Sequence, residues 1–245
     1  MAVPSLIFIV PYRDRELQKS LFLRNMQYIL EDEQDYEIYF SHQMDDRTFN
    51  RGAMKNIGFL AIKEKYPDHY QNITFVFNDI DTFPIEKLFS YRTTRDIVKH
   101  FYGFQYALGG IVSIMGSDFE RINGFPNFWG WGFEDNELQK RVEKAGIQID
   151  RSQFYKIFDM HVVQLHNDTN REVNLSEANR YKQNIFEGVR EIHELQFTIE
   201  KNMIQVSKYM TQKLDTRASN IQHDLRKGNI KVNKRRKGGL GMAFN

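Results

Sequence analysis

The sequence contains no cysteine. Disulfide bonds, thiolate metal sites and cysteine nucleophiles are therefore excluded, and a bound metal ion would need carboxylate, imidazole, amide or water ligands. Long apolar runs are also lacking: Leu6–Val10 is the longest near the N-terminus and no later run exceeds it, whereas about 18 apolar residues are needed to span a bilayer. Residues Met1–Pro4 carry no basic residue ahead of a long apolar segment, so the sequence predicts neither a signal peptide nor a transmembrane helix.

The composition is typical of a globular protein. Its residues are 41% hydrophobic and 14% aromatic. With 245 residues, and about 100–200 residues in a usual domain, the chain can form one large domain or two small ones. The formal net charge is only +2, but seven cations and no acidic residue follow Asp224. We therefore expect a basic, flexible tail at residues 213–245. Its cations at 226–237 would contact anionic lipid, an acidic partner or, least favoured, nucleic acid, or would simply be solvated.

Strand and helix patterns alternate along the first third of the chain. Ile73–Phe77 is a run of β-branched and aromatic residues followed by Asn78 and Asp79, which is typical of a buried strand in a parallel sheet. The alternation predicts an α/β fold, in which ligands bind at the carboxyl ends of the strands. The predicted elements are strand Leu6–Val10, helix Leu17–Leu30, strand Tyr36–Ser41, helix Arg51–Lys65 and strand Ile73–Phe77.

The remaining patterns are less regular, and no internal repeat is found. A segment of mixed pattern reaches residue 211 and receives no assignment. The elements predicted before it are strand Ile111–Met115, helix Glu134–Lys144 ended by Gly146, strand Val162–Leu165 and a polar loop at Asn167–Ser176.

Asp79 and Asp81 are two carboxylates spaced by one residue after the buried strand. In an extended segment both would point to the same face. One or two carboxylates suffice to bind a divalent cation at a diphosphate, because phosphate oxygens and water complete the shell. The alternative is that they cap a turn, and the pattern alone favours neither. A phosphatase motif is disfavoured, because it needs Thr or Val where Phe83 stands.

An aromatic loop rich in glycine, Phe128–Phe133, leads directly into the predicted helix at Glu134 and Asp135 and contains both Trp residues of the chain. Acidic residues at a helix N-terminus often only complement the helix dipole, an effect of about 0.3–1 kcal/mol. The same field keeps a carboxylate ionised. An ionised carboxylate beside a mobile Trp that stacks on a sugar is what a general base for a carbohydrate hydroxyl requires.

Two further groups follow predicted strands. His166 follows the strand at Val162–Leu165 and could bind a metal ion with Asp81, although a lone His is more often an ordinary surface or core residue. Arg13 and Arg15 follow the first strand and could bind a diphosphate, although such pairs are usually only solvated. The four groups share a position at carboxyl ends of strands, which favours one common site.

Taken in order, these motifs resemble the β-1,4-galactosyltransferase family of inverting glycosyltransferases, which have the GT-A fold. The resemblance runs from about Phe8 to Asp168. Its most specific part is the W-G-W-G-x-E-D segment, whereas the D-x-D pair alone is common. The motifs are Pro11–Arg15, Phe49–Arg51, Phe75–Asp81, Gly109–Gly110, Ile122–Asn127, Trp129–Asp135 and His166.

The resemblance implies a Rossmann-like GT-A catalytic domain at residues 1–212, with a mostly parallel central sheet and a UDP-sugar site. Asp81 and His166 would bind Mn²⁺ or another divalent cation. Asp135 would be the base for the acceptor hydroxyl, and Glu134 would contact bound sugar. A closing loop would carry Trp131, and the implied acceptor contacts are Trp131, Asp135 and Asn136. The implied donor contacts are Pro11, Tyr12, Arg13, Arg15, Phe49, Arg51, Asp79, Ile80, Ala107, Gly110 and Trp131.

Some positions depart from the family pattern. Members commonly have a third metal ligand, a Met three or a His two residues before the metal-binding His, where this chain has Val163 and Gln164. The amide oxygen of Gln164 could replace that ligand. Asn136 stands where members have Asp on the acceptor side. Ala107 stands where galactose-specific animal enzymes have a bulky Tyr, which predicts that N-acetylgalactosamine is accepted at least as well as galactose.

The predicted function is therefore transfer of galactose or N-acetylgalactosamine from a UDP-sugar to a saccharide or glycosylated acceptor. One alternative is a UDP-glucose or UDP-N-acetylglucosamine donor in the same fold. Another is a catalytically silent module that binds through its basic tail, against which the intact Asp81, Glu134 and Asp135 argue. The absence of disulfides suits a reducing compartment: we expect the cytoplasm if the chain is complete, and a Golgi-type lumen if an anchor has been removed.

Overall fold

The computed structural model describes residues 3–165, 170–183, 186–215, 217, 220–224 and 227. In this part of the chain the helices are α1 (Glu16–Ile29), α2 (Arg51–Lys65), α3 (Gly116–Arg121), α4 (Glu134–Lys144) and α5 (Leu175–Lys182). The strands are β1 (Leu6–Tyr12), β2 (Tyr36–Gln43), β3 (Thr74–Asn78), β4 (Thr82–Pro84), β5 (Ile97–Gly103), β6 (Ile111–Met115), β7 (Gln148–Asp150), β8 (Tyr155–Lys156), β9 (Val162–Gln164), β10 (Asn170–Asn174), β11 (His193–Glu200), β12 (Met203–Met210) and β13 (Asn220–Asp224).

A mixed, mostly parallel sheet forms the centre of the fold. Its order is β11-β12-β2-β1-β3-β6-β5-β7, with β8 also paired to β5. β1 pairs in parallel with β2 and β3, and β12 pairs in parallel with β2. The antiparallel pairs are β3 with β6, β5 with β6 and β11 with β12. The expected α/β architecture with a mostly parallel central sheet is confirmed.

The central strand β1 is buried on both faces, which explains its continuous apolar sequence. Successive side chains of a strand point to opposite faces. Ile7 and Ile9 accordingly belong to the core that includes Ala53 of α2. Leu6 and Phe8 belong to a second core that includes Phe22 and Met26 of α1. The two helices therefore cover opposite faces, and the ends of β1 and β3 are left to form the site.

The prediction of a polar loop at Asn167–Ser176 is wrong for residues 170–176, which are the part of this range that the structure describes. Residues 170–174 form β10, which pairs antiparallel with β13, and α5 begins at Leu175. The Asn174 side chain accepts a hydrogen bond from the Ser176 amide at 3.0 Å and so caps α5. The polar residues interpreted as a loop are thus a strand and a helix cap, and residues 167–169 lie outside the described residues.

The first residues of the expected tail contact the domain. The Lys213 ammonium lies 2.9 Å from Glu177, the Asp215 carboxylate accepts a hydrogen bond from the Thr48 amide at 2.8 Å, and β13 pairs with β10. Apart from Lys227, the basic run 226–237 lies outside the described residues. Among the described helices, none is long and apolar enough to cross a membrane.

Candidate active site

A cavity of about 310 Å³ lies at the carboxyl ends of β1 and β3. Ligands bind at this edge of open α/β sheets. Four arginines and several carboxylates share its wall, which suits an anionic ligand accompanied by a cation. The lining residues are Pro11, Arg13, Asp14, Arg15, Phe49, Arg51, Asp79, Ile80, Asp81, Gly130, Trp131, Asn170, Arg171 and Glu172.

Two of these arginines are held in place by the protein itself. Arg13 Nη1 donates a hydrogen bond to the Arg47 carbonyl at 2.6 Å, and its guanidinium lies 5.1 Å from the centre of the Phe49 ring. Arg51 begins α2, and its Nη1 donates to Glu134 Oε1 at 2.6 Å. Guanidinium groups bind diphosphates through paired, charge-assisted hydrogen bonds. A side chain already ordered loses less conformational freedom when the anion binds.

A buried lysine joins the cavity to the start of α4. Lys55 is 1% exposed, and its Nζ lies 3.4 Å from Asp79 Oδ1 and 3.5 Å from Asp135 Oδ1. Burial lowers the pKa of Lys55, but the charges of Asp79 and Asp135 outweigh it and hold that pKa above its usual value. A charged lysine therefore bridges a cavity carboxylate and the first turn of α4.

Asp135 titrates differently from Asp79. For Asp79, the cations Lys55 and Arg51 outweigh the effect of burial and lower its pKa. For Asp135, burial is the largest effect, and Lys55 offsets it only in part. Repulsion from Glu134 and Asp79 adds to the effect of burial, and the pKa of Asp135 is raised to about 7. Burial is therefore the largest influence on the pKa of Asp135, a carboxylate for which the sequence indicated only the field of a helix N-terminus.

The backbone presses closely against Asp135. The Leu108 amide donates to the Asp135 carbonyl at 3.0 Å. A Cβ atom placed on Gly109 would lie 2.1 Å from Asp135 Oδ2, so Gly109 permits this approach. Asp135 Oδ1 and Asp79 Oδ1 accept no hydrogen bond from the described residues. Asp135 Oδ1 is buried and faces the Lys55 ammonium at 3.5 Å.

Glu134 has a different environment from the one expected. It is 3% exposed, and its carboxylate accepts hydrogen bonds from Arg51 and from the Gly132 amide, the latter at 3.1 Å. Phe133, at φ 73°, occupies the left-handed region just before α4. The Glu134 side chain therefore orients Arg51 and the aromatic loop Phe128–Phe133, which we call the Trp loop, instead of lining the cavity.

Asp81 is the cavity carboxylate best placed for a metal ion. Its Oδ1 accepts a hydrogen bond from Thr82 Oγ1 at 3.0 Å, and its carbonyl accepts one from the Leu165 amide at 2.7 Å. This second bond places the chain next to His166 beside Asp81, although His166 itself lies outside the described residues. Gln164 Oε1 accepts a hydrogen bond from the Tyr102 hydroxyl at 3.2 Å.

The residues present fit a divalent cation at a diphosphate. A hard cation takes oxygen ligands and, beside phosphates, needs few from the protein. The described part of the chain holds no cluster of three or more His, Asp or Glu residues suited to a metal. Among the described residues, Asp81 would therefore be the metal ligand, and phosphate oxygens of the bound diphosphate would supply further positions of the coordination shell.

Only one of the two Trp residues lies at the cavity. Trp131 lines it, between Gly130 at φ 81° and Gly132 at φ 114°, and its amide donates to the Glu172 carbonyl at 2.8 Å. Trp129 is buried and stacks on a ring of the core, and its Nε1 donates to the Lys213 carbonyl at 2.8 Å. The glycines give the backbone the positive φ values that this loop requires.

Most of the expected donor contacts line the cavity, but Tyr12, Ala107 and Gly110 do not. Tyr12 packs in the core beside α1 and donates a hydrogen bond to Glu16, because its position on β1 points away from the cavity. Ala107 is 6% exposed and lies one residue before Leu108. Gly110 supports the wall, since its carbonyl accepts a hydrogen bond from the Asp79 amide at 3.0 Å.

Asn136 is an expected acceptor contact. Its side-chain amide group donates to the Tyr106 carbonyl at 3.3 Å.

Four site residues are not anticipated from the sequence, namely Lys55, Asn170, Arg171 and Glu172. Lys55 lies four residues after Arg51, on the same face of α2, and that spacing is a signal that could have indicated it. Asn170, Arg171 and Glu172 reach the cavity on β10. Nothing local indicates their position, because it depends on pairing with β13, about 50 residues further along the chain.

Two family models and several curated proteins match this chain in sequence. The model of the N-terminal region of glycosyl transferase group 7 matches residues 1–94, and that of the N-terminal domain of galactosyltransferase matches residues 93–166. β-1,4-Galactosyltransferase 4 of Cricetulus griseus is 35% identical over 163 residues, 61% of this chain and 46% of that protein. β-1,4-Galactosyltransferase 2 of Homo sapiens is 36% identical over 156 residues, 58% and 41% of the respective chains.

Solved structures show the same fold. The catalytic domain of Drosophila β1,4-galactosyltransferase 7 with xylobiose matches at a TM-score of 0.67 and 22% identity, covering 83% of this chain and 94% of that one. A mutant of it in complex with manganese, UDP-Gal and xylobiose matches at 0.66 and 23%, with the same coverage.

The chain therefore belongs to the β-1,4-galactosyltransferase family of glycosyl transferase group 7. It spans less than half the length of the curated relatives it matches.

Proposed function

We propose that this chain is an inverting, metal-dependent glycosyltransferase that moves galactose or N-acetylgalactosamine from a UDP-sugar to a hydroxyl of a saccharide or glycosylated acceptor. The observation that carries the proposal is one arrangement: an arginine-lined cavity with Asp81 in its wall, joined through the buried Lys55 to Asp135 at the start of α4. The Drosophila relative, solved with manganese, UDP-Gal and xylobiose, supports it.

In the proposed reaction the acceptor oxygen attacks the anomeric carbon of the donor. The bond between that carbon and the diphosphate oxygen breaks, the diphosphate leaves with the electron pair, and the acceptor proton passes to Asp135. Attack from the face opposite the leaving group inverts the anomeric carbon. Arg13 and Arg51 bind the diphosphate. Asp81 and His166 would hold a divalent cation, whose positive charge would help to stabilise the leaving diphosphate.

Two carboxylates are proposed to have separate tasks. Asp79 stays ionised, since its pKa is lowered, and faces the nucleotide sugar. Asp135 has a pKa of about 7, near the value at which a general base works best at neutral pH. Trp131 covers the donor and limits access of water, which would otherwise hydrolyse it.

The reaction is tested by its product. Purified protein, Mn²⁺ and each of four donors (UDP-galactose, UDP-N-acetylgalactosamine, UDP-glucose and UDP-N-acetylglucosamine) are incubated with a panel of saccharides, and UDP release is measured. We expect release with the galactose-type donors and a β-configured product by NMR. A glucose-type donor used alone would establish the alternative donor class, and an α-configured product would contradict inversion.

Donor choice depends in this proposal on Ala107. By the family resemblance, a Tyr at this position would fill the space of a 2-acetamido substituent and an Ala would leave it open, although Ala107 does not line the cavity described above. We expect Ala107→Tyr to lower the rate with UDP-N-acetylgalactosamine relative to UDP-galactose by about 10-fold or more, the effect of roughly 1.4 kcal/mol of lost transition-state binding. An unchanged ratio of the two kcat/KM values would remove Ala107 from donor selection. Ala107→Ser, which adds little volume, is the control.

The pH dependence follows from the raised pKa of Asp135. A base must be ionised, so kcat/KM should increase as the pH rises through about 7 and then level off. Lys55→Met removes a cation 3.5 Å from Asp135 and so favours the protonated acid. We expect the increase in kcat/KM to move to higher pH, with a loss of about tenfold below pH 7 for each unit moved.

Lys55→Arg retains the charge and serves as the control for this profile. Measuring all three proteins at saturating Mn²⁺ keeps any titration of His166 common to them. If kcat/KM increases over the same pH range in wild type and in Lys55→Met, the assignment of Asp135 as the titrating base is contradicted.

A further inference from the structure

The chain from Lys213 to Asp224, described here at residues 213–215, 217 and 220–224, contacts three separate walls of the cavity. We call it the C-terminal clasp. Its sequence has no part in the motifs that define the family, and no role for it follows from them. Its contacts nevertheless converge on residues that line the proposed UDP-sugar site.

The first wall is the segment before α2. Asp215 Oδ2 accepts a hydrogen bond from the Thr48 amide at 2.8 Å, and Asn220 Nδ2 donates to Thr48 Oγ1 at 2.7 Å. Thr48 is 3% exposed and precedes Phe49, which lines the cavity beneath the Arg13 guanidinium. The clasp thus holds the backbone that presents Phe49.

The second wall is β10. The clasp strand β13 pairs with all five of its residues, from Asn170 opposite Asp224 to Asn174 opposite Asn220. Asn220 Nδ2 also donates to Glu172 Oε1 at 2.8 Å. Among the described strands, β13 is the only one in a sheet with β10. Because β10 is polar and short, it depends on this partner for its position.

The third wall is the Trp loop. The Trp131 amide donates to the Glu172 carbonyl of β10 at 2.8 Å, and Gly130 forms a bridge with Val173. The Trp129 indole donates to the Lys213 carbonyl at 2.8 Å. The loop is therefore attached to the clasp twice, once directly and once through β10.

We infer that the clasp positions the donor site, with Asn220 as its main positioning residue, because one amide group joins the Phe49 wall to the β10 wall. This inference rests on the proposed UDP-sugar site. With the clasp in place, Phe49, Arg171 and Trp131 keep the arrangement that receives the donor. Without it, β10 and the Trp loop lose their common support, and each donor molecule must order them.

Asn220→Ala in the full chain tests the inference. Loss of the two hydrogen bonds should raise KM for UDP-galactose about tenfold, the effect of one to two bonds, while kcat at saturating donor changes less than twofold. Gln222→Ala is the matched control, since Gln222 is an exposed residue of the same strand whose backbone pairing with Glu172 is retained. It should leave both constants unchanged.

Tryptophan fluorescence gives a second readout, because both Trp residues of the chain lie in the loop that the clasp supports. Titration of UDP-galactose with Mn²⁺ should change the emission of wild type and Gln222→Ala at the same concentration, and that of Asn220→Ala at about tenfold higher concentration. Ile221→Pro, which prevents strand pairing opposite Val173, should show a larger shift of the same kind.

Two results would overturn the inference. One is Asn220→Ala with wild-type KM and a wild-type fluorescence titration. The other is loss of kcat with unchanged KM and a lowered melting temperature, which would show a contribution to stability alone. If wild type itself bound no UDP-galactose by calorimetry, with or without Mn²⁺, that result would overturn the proposed function. The donor whose binding the clasp supports would then be missing.

Discussion

Asp135→Asn should lower the rate of sugar transfer by a factor of about 10²–10⁴, the usual contribution of a general base. The substitution keeps the shape of the side chain and removes only its capacity to take the acceptor proton. Binding of UDP should change little, because the cavity is lined by other residues, including Arg13, Arg51 and Asp81. The measurements are steady-state transfer rates and calorimetric binding of UDP with Mn²⁺.

Stability should not fall in the same variant. The folded pKa of Asp135, about 7, lies above the value near 3.9 of an unfolded Asp. The ionised carboxylate therefore costs stability above pH 7, and that cost is absent when the pH is well below the unfolded value. A neutral Asn removes it, while Lys55 keeps Asp79 as a partner.

Glu143→Gln is the matched control for this variant. Glu143 is exposed on α4, where its carboxylate accepts a hydrogen bond from Gln139, and it should transfer sugar at the wild-type rate. A strong loss of UDP binding in Asp135→Asn would show that Asp135 serves the donor site. Retention of full activity would place the base elsewhere.

Asp81→Ala should abolish Mn²⁺-dependent binding of UDP. Asp81 is the described carboxylate that lies both in the cavity and beside the strand leading to His166. Its loss leaves a metal ion with no charged ligand among the described residues at that point. We expect at least about 100-fold weaker binding in Mn²⁺, comparable to the larger effects of disturbing a metal site, and a residual affinity equal to that of wild type in chelator.

The control for Asp81→Ala is Asp68→Ala, which removes an exposed carboxylate just beyond the far end of α2 from Arg51. It should bind UDP and Mn²⁺ as wild type does. Unaltered Mn²⁺ dependence in Asp81→Ala would move the metal to other ligands. Binding lost equally in Mn²⁺ and in chelator would show that Asp81 acts on the nucleotide and not through a metal.

The alternating pattern of the first third of the chain predicts the centre of the fold well. Ile73–Phe77 consists of β-branched and aromatic residues because β3 is buried on both sides, and α2 begins and ends at the predicted residues. The same reasoning brings Arg13, Asp79 and Asp81 to one cavity, since chain segments that leave neighbouring strands at the same sheet edge are close in space.

Prediction fails where position depends on distant partners. β10 contains Asn, Arg and Glu, and only its pairing with β13 makes it a strand. Tyr12 belongs to a motif that resembles a donor site, yet strand alternation turns its ring into the core. The pKa of Asp135 also cannot be predicted from the local sequence. The helix N-terminus can be recognised there, but the burial of the carboxylate and its closeness to Asp79 depend on the fold.

We propose above all that this cavity binds a UDP-sugar with a divalent cation. The most direct measurement is calorimetric titration of UDP-galactose and UDP-N-acetylgalactosamine into the purified protein, first with Mn²⁺ and then with chelator. We expect both donors to bind in Mn²⁺ and to bind much more weakly in chelator, with UDP-N-acetylgalactosamine bound at least as tightly as UDP-galactose. Absence of binding by either donor and by UDP would contradict the proposal.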